Sequence, residues 1–288
     1  MERHDMKQRY HLLCLGFGFS AGCLAQRLDP ALWTVTGTSR SSEGVAAIQT
    51  AGFSGVLYDA LSTIPENVTH IVSSLPPDAK GDPVLHRFEN QLSISGTKLQ
   101  WVAYLSTTGV YGDHGGRWVD EETALTPNTE RGSRRLAAEQ AWLQLHDKSA
   151  LPLHIFRLAG IYGPGRNALV SLRQGKAQRV IREGQIFSRI HVEDIAGVLK
   201  ASIARPQPGR CYNVADDEPA PPQDVIAYAA ELLGLPMPPD IAFADAKLSP
   251  MAQSFYADSK RVSNRRVKQE LGYLFKYPNY RHGLRSLI

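Results

Sequence analysis

Cysteine is scarce in this chain: three residues in 288, at Cys14, Cys23 and Cys211. They are odd in number, widely spaced and form no C-x-x-C pair. That excludes a disulfide framework or a zinc site and points to a reducing, cytoplasmic setting with no metal. Long apolar runs are missing as well. Nothing approaches the ~20 residues of a membrane-spanning helix, so no membrane partner is expected. Repeats and low-complexity tracts are absent, apart from short proline-rich pieces at Pro219–Pro222 and Pro236–Pro239 that read as loops. Net charge is small too: 32 Lys+Arg against 28 Asp+Glu leave a formal +4, too little to argue for nucleic-acid binding.

What is present is ordinary globular composition, 43% hydrophobic and 21% charged, in a chain long enough to bury a substantial core. The charge is partitioned. Residues 1–130 carry 9 basic and 14 acidic side chains, residues 131–189 carry 11 and 3, and residues 190–288 carry 12 and 11. The middle stretch therefore stands at +8, and nine of its eleven cations are Arg. At the N-terminus, charged MERHDMKQRY precedes the uncharged HLLCLGFGFSAGCLAQ, which has the look of a signal-peptide apolar region. The three spaced glycines of that run favour a folded turn instead.

Short apolar runs alternate with amphipathic, helix-length ones, the pattern of βαβ units in a parallel sheet. Strands are predicted at His11–Gly16, Thr34–Thr38, Gly55–Leu57, His70–Ser74, Trp101–Leu105 and Leu153–Leu158. Helices are predicted at Ala21–Leu28, Glu43–Ala51, Pro83–Ser95 and Gly132–His146. The fold class is α/β, a doubly wound Rossmann sheet. The first turn, Gly16-Phe17-Gly18-Phe19-Ser20-Ala21-Gly22, reads G-x-G-x-x-A with one further glycine. Gly16 permits the tight turn, and Gly18 lets a pyrophosphate approach the backbone. A small residue at Ala21 or Gly22 lets helix and strand pack closely.

An acid at the end of the second strand would bind the ribose 2′-hydroxyl of NAD. This chain has Ser39 and Arg40 there and no acid before Glu43. A hydroxyl and a guanidinium suit a 2′-phosphate, which favours NADP over NAD. Asp59, closing the third strand, is a candidate adenine contact. Ser74, closing the fourth, completes the cofactor set.

Residues 101–122 read WVAYLSTTGVYGDHGGRWVDEE. Three later pieces follow in order: Arg157-Leu158-Ala159-Gly160-Ile161-Tyr162-Gly163-Pro164-Gly165-Arg166, then Arg189-Ile190-His191-Val192-Glu193-Asp194, then Tyr212-Asn213-Val214-Ala215-Asp216. With these motifs the chain resembles, along nearly its whole length, the extended short-chain dehydrogenases/reductases, the nucleotide-sugar epimerase and dehydratase group. It is most similar to their atypical, YeeZ-like branch. The resemblance implies chemistry by a Ser/Thr that orients substrate, a Tyr that transfers a proton and a Lys that lowers the Tyr pKa and holds the nicotinamide ribose.

Thr107 falls on the Ser/Thr position. Anchored on Ala138-Glu139, the Tyr position holds Arg131 and the Lys position holds Arg135. Arginine stays protonated at physiological pH and cannot serve as the usual acid or base, so these two are expected to hold ribose or substrate oxygens. A literal Tyr-x-x-x-Lys at Tyr256–Lys260 lies in the wrong part of the chain and reads as coincidence. Tyr111, Tyr162, Arg189 and His191 lie in motifs that flank the family's cleft and are candidate substrate contacts. For Tyr111 and Tyr162 the other reading is packing. For His191 it is satisfaction of a backbone group beside the helix that begins near Glu193, which Asp194 would cap or anchor.

Helices are also predicted at Ala168–Gln174, Gln223–Leu233 and Arg265–Leu271, with a short strand Cys211–Val214. Residues 1–162 read as the cofactor-binding domain. Residues 163–288 read as a mixed segment that returns a strand and helix to the sheet and adds a small substrate lobe. Arg166, Arg173, Lys176, Arg179, Arg182 and Arg189 lie in or near the lobe segments. The expected function is an NADP-dependent oxidoreductase or epimerase acting on a small anionic molecule, nucleotide- or phosphate-bearing. The alternative is a cofactor-binding redox sensor or scaffold without catalysis. A homodimer, through a surface including Arg134, Leu136 and Trp142, is a further expectation.

Overall fold

The computed structural model describes residues 9–95 and 99–288. The charged first eight residues, part of the export-like reading, lie outside the described residues. Five strands open the chain: β1 (Tyr10–Leu15), β2 (Trp33–Ser39), β3 (Ser54–Leu57), β4 (His70–Ser73) and β5 (Trp101–Thr107). With Leu153–Leu158 and Cys211–Val214 they form one seven-stranded sheet, in the order β3, β2, β1, β4, β5, Leu153–Leu158, Cys211–Val214. β1 pairs in parallel with β2 on one side and β4 on the other, so the strand order reverses at β1. Leu12, Leu13, Cys14 and Leu15 are fully buried, which is why β1 reads as a continuous apolar run. The export-like run is thus the central strand, its turn and the helix after it.

Four helices connect these strands: α1 (Phe19–Ala25), α2 (Ser42–Thr50), α3 (Pro83–Ser95) and α4 (Glu130–Ser149). The helix ends follow their caps. α2 starts where Ser41 Oγ accepts from Gly44 N–H at 3.2 Å, and α4 starts two residues earlier than expected because Thr129 Oγ1 accepts from Gly132 N–H at 3.1 Å.

The chain groups into two compact units. One comprises Met1–Ser106, Ala137–Ile155 and Ser202–Arg210; the other comprises Thr107–Leu136, Phe156–Ala201 and Cys211–Ile288. The units interleave along the chain, where the sequence suggests a single cut after residue 162.

In the first unit, Trp142 on α4 is fully buried and stacks on Tyr104 with ring centroids 5.7 Å apart. This corrects its assignment to a dimer surface, since a core side chain has no face to offer.

The second unit holds three short parallel pairs: Arg189–His191 with Gly160–Tyr162, Asp240–Ala242 with Arg179–Ile181, and Arg261–Val262 with Trp118–Val119. Its core gathers Leu169, Val225, Ala229, Tyr280 and Leu284 from the helices Ala168–Arg173, Pro222–Leu233 and Tyr280–Arg285. The last of these was not foreseen; Asn279 caps it by accepting from His282 N–H at 3.0 Å. The helix expected at Arg265–Leu271 holds a five-residue π-helical stretch, Val267–Leu271.

Candidate functional site

In the first unit the turn after β1 is built around Gly16, whose φ of +89° suits glycine. A Cβ there would lie 2.8 Å from Ser74 Oγ and 2.9 Å from Leu75 Cδ2. Two side chains fix the turn. Thr38 Oγ1 accepts from Gly16 N–H at 2.8 Å, and Ser74 Oγ donates to Gly16 O at 2.6 Å. Ser74 thus holds the loop from behind. Thr38 is a participant that the sequence reading missed; a polar residue buried at a strand end is the signal that could have marked it.

Phe17, between the two glycines, packs where Gly37 leaves room, since a Cβ on Gly37 would come within 2.4 Å of the ring. Gly22 borders the same ring, with its added Cβ 3.3 Å from Phe17 Cε1, and Ala21 is fully buried. Gly18 differs from all of these. Its φ is −93°, and a Cβ built on it meets nothing within 4 Å. No side chain caps the helix that starts after it, and no acid stands in its first turn. The backbone at Gly18 is therefore open, a cradle that a side chain would fill.

Beyond β2, Ser39 Oγ accepts from Ser41 N–H at 3.3 Å. Arg40 is exposed and has no ion-pair partner among the described residues. Asp59 sits in the short turn Tyr58–Ala60 after β3, with its carboxylate 3.7 Å from Arg87 Nη1 and its carbonyl accepting from Arg87 Nη2 at 2.7 Å.

In the second unit Thr107 ends β5, and its Oγ1 accepts from Gly109 N–H at 3.2 Å, opening the turn Thr108–Tyr111. Tyr111 is fully buried. Its hydroxyl donates to Asn213 Oδ1 at 2.8 Å and accepts from Arg157 Nη1 at 2.9 Å, with the Arg157 guanidinium 5.1 Å from the ring centroid. Burial pushes this phenol well above its ordinary value. Tyr111 is a strut of the core, which corrects its candidacy as a substrate contact.

Tyr162 is buried edge-on to His191 with centroids 5.2 Å apart, and its hydroxyl lies against Gly283, where a Cβ would come within 2.0 Å. His191 is fully buried, and its Nδ1 accepts from Glu193 N–H at 3.2 Å, so of its two readings the backbone one is observed. Asp194 anchors rather than caps. Its two oxygens accept from Tyr273 Oη at 2.7 Å, Lys276 N–H at 2.7 Å and Tyr277 N–H at 3.0 Å, tying down the C-terminal segment.

Arg189 Nη1 donates to Phe187 O at 3.0 Å and Ala220 O at 2.9 Å. Burial lowers the guanidinium's affinity for its proton, and Asp216 opposes that shift. Arg179 pairs with Asp240 at 2.5 Å, and Arg182 donates to Tyr256 O with its guanidinium 5.0 Å from the Phe243 ring centroid. Three of the six cations expected in the substrate segments, Arg179, Arg182 and Arg189, therefore hold the unit's own backbone or acids.

The literal Tyr256–Lys260 pair is structural too. Lys260 is buried, is bonded to Asp258 and donates to Gly112 O at 3.0 Å, while Tyr256 packs on Phe187 and Phe243.

Arg131 is exposed and Arg135 buried, four residues apart on α4. Partial sheltering of its guanidinium, then the like charges of Arg135 and Arg166, hold Arg131 below its ordinary value.

A family model described as the NAD dependent epimerase/dehydratase family matches residues 92–215. Protein YeeZ of Escherichia coli strain K12 is 29% identical, over 92% of this chain and 95% of that one. A solved structure from Silicibacter pomeroyi DSS, described as a functionally unknown conserved protein, is 53% identical, covers 96% of this chain and 98% of that chain, and has a TM-score of 0.91. The chain belongs to the NAD(P)-dependent epimerase/dehydratase superfamily, on its YeeZ-like branch. The superfamily's fold is recovered also in UDP-glucuronic acid 4-epimerase from Bacillus cereus in complex with NAD, at 17% identity, TM-score 0.75, covering 96% of this chain and 97% of that chain. Among the described residues of this superfamily member, no helix is long and apolar enough to cross a membrane.

Proposed function

We propose that the protein binds a nicotinamide dinucleotide, NADP in preference to NAD, and acts as an oxidoreductase or epimerase on a small anionic molecule in the cytoplasm. The observation that carries this reading is the open backbone at Gly18, directly after β1 at the point where the strand order reverses. A pyrophosphate has room there, and Gly16, Thr38 and Ser74 keep the turn in shape. Ser39 and the exposed Arg40 would take a 2′-phosphate, and Asp59 the adenine. When bound, the group supplies hydride transfer at its nicotinamide ring.

The chain's own residues then position rather than titrate. Thr107 orients substrate by its hydroxyl, and Arg131 and Arg135 hold ribose or substrate oxygens. Proton transfer falls to water or a substrate group. The rival reading, a dinucleotide-binding sensor or scaffold without catalysis, is favoured by one set of observations. Arg131 and Arg135 are arginines where the resemblance implies an acid/base pair, Tyr111 is locked in hydrogen bonds, and His191 Nδ1 is taken up by Glu193 N–H.

Titration with NADPH and NADH, repeated on Arg40→Ala, tests the cofactor. NADPH is expected to bind at least tenfold more tightly, and the variant to lose most of that preference. Equal affinities throughout would refute NADP. Turnover with NADPH and a panel of sugar nucleotides and carbonyl compounds separates enzyme from sensor, since tight binding without turnover leaves the sensor.

A further inference from the structure

Phe17 stands between the two glycines of the turn after β1, and its N–H donates to Thr38 O at 2.9 Å, which ties the turn to the end of β2. Its ring is fitted from three sides. Gly37 of β2 leaves it a hollow, since a Cβ there would lie 2.4 Å from Phe17 Cδ2 and 2.7 Å from Cγ. Gly22 of α1 borders it, with an added Cβ 3.3 Å from Cε1, and the Phe53 ring meets it with centroids 5.5 Å apart. The fourth side is not closed: Phe17 is half-buried, whereas Ala21 and Leu24 of the adjoining helix are fully buried.

Side chains alternate along a strand, so Gly37 and Ser39 lie on one face of β2. Ser39 is paired in register with Leu57, the last residue of β3, which puts Leu57 on that face as well. Leu57 is exposed, a large apolar side chain at the carboxyl end of the strands, where an open α/β sheet takes its ligand. α2 covers the same face further back, where a Cβ on Gly55 would lie 2.7 Å from Val45 O. Past α2 the face carries the part-open ring of Phe17 and the exposed Leu57, with Ser39 and the exposed Arg40 at the same strand end. An apolar floor beside a cation and a hydroxyl suits a flat base whose ribose bears a phosphate.

We infer that Phe17 is a specificity-determining residue of the dinucleotide site: its ring, with Leu57, holds the adenine base by its face, while Asp59 meets its edge. A purine offers an aromatic ring a large flat surface, and the bare ribose phosphates offer it none. The inference rests on the function proposed above and adds to it the residue that reads the base. Gly37 is the positioning residue, because the hollow it leaves sets where the ring lies.

The test uses 2′,5′-ADP and ribose 2,5-bisphosphate, which carries the same two phosphates without the base. Both are titrated calorimetrically into the wild type, Phe17→Ala, Gly37→Ala and the double variant. Phe17→Ala is expected to lose about tenfold in affinity for 2′,5′-ADP and nothing for the bisphosphate. Phe17→Leu, which keeps apolar bulk in the hollow, is expected to lose a smaller factor, again for 2′,5′-ADP alone, and carries the comparison if Phe17→Ala does not fold. Gly37 is buried, so Gly37→Ala reaches a ligand only through the ring. It is expected to weaken 2′,5′-ADP in the wild type and to add little in the Phe17→Ala background. An equal loss for both compounds overturns the inference, by making the ring a support of the turn, and so does unchanged affinity for 2′,5′-ADP. A wild type that binds NADPH beside variants that keep 2′,5′-ADP defeats this inference alone. A wild type that binds neither NADPH nor 2′,5′-ADP defeats the proposed function and this inference with it.

Discussion

His70 offers a way to weigh the sheet's interior by acid alone. It lies on β4, 3% exposed, with its ring 4.7 Å from Trp33, 5.5 Å from Tyr10 and 6.3 Å from Trp101. Burial holds its pKa down at about 4 against an ordinary 6.5. Between those two values the unfolded chain binds the proton and the folded chain does not. Stability is therefore fully present above pH 6.5 and is lost as pH falls toward 4, at about 1.4 kcal/mol per unit for one group. The loss at pH 5 comes to about 2 kcal/mol from His70, a sizeable part of a total of roughly 5–15 kcal/mol.

His70→Phe keeps an aromatic ring in the same cage and removes the titration. Thr69 Oγ1, which contacts His70 Nδ1 at 2.8 Å, keeps its bonds to the His11 backbone at 3.0 and 3.3 Å. The carboxyls of Asp194 and Asp216, raised by burial, act in the opposite direction but are common to both proteins. His154, also buried with a pKa of about 4, is common as well. Urea unfolding at pH 7, 6 and 5, followed by tryptophan fluorescence, gives the comparison. The wild type should lose about 2 kcal/mol more than the variant between pH 7 and 5. Parallel curves for the two proteins would refute the burial argument.

Two further substitutions separate folding from binding. Gly18→Ala is expected to leave the melting temperature unchanged and to weaken NADPH at least tenfold, because the new methyl occupies the open cradle. Gly16→Ala, at φ +89° and against Ser74 and Leu75, should cost stability itself, about 1–3 kcal/mol by urea unfolding. Asp194→Asn replaces an acceptor of three hydrogen bonds by a group that must turn an N–H toward the backbone donor of either Lys276 or Tyr277. It is expected to cost about 2 kcal/mol and to raise amide exchange in residues 273–277 before the rest of the chain.

The sheet was legible because its signal is local. Continuous apolar strands such as Leu12–Leu15, glycine turns and helix-length amphipathic segments announce a parallel α/β fold without reference to distant residues, and the observed strands agree to within a residue or two. The glycine turn was equally legible, since its backbone geometry is set by glycine itself. Less was visible in the second unit. The two-residue pairing of Trp118–Val119 with Arg261–Val262 is too short for any periodicity, and the residues that meet lie far apart in the chain.

The sequence by itself determined the superfamily and the glycine loop, because motifs and residue identities are properties of the chain. Only the tertiary structure decided which polar side chains remain available. Tyr111 is claimed by Asn213 and Arg157, His191 Nδ1 by Glu193 N–H, Asp194 by residues 273–277, and Arg179, Arg182 and Arg189 by internal partners. Hydrogen-bond partners are chosen by contacts dozens of residues apart, and a buried donor or acceptor must be satisfied wherever the chain brings it. The +8 segment divides on that basis: some of its arginines serve the fold, and Arg131 and Arg166 are exposed, with no ion-pair partner among the described residues.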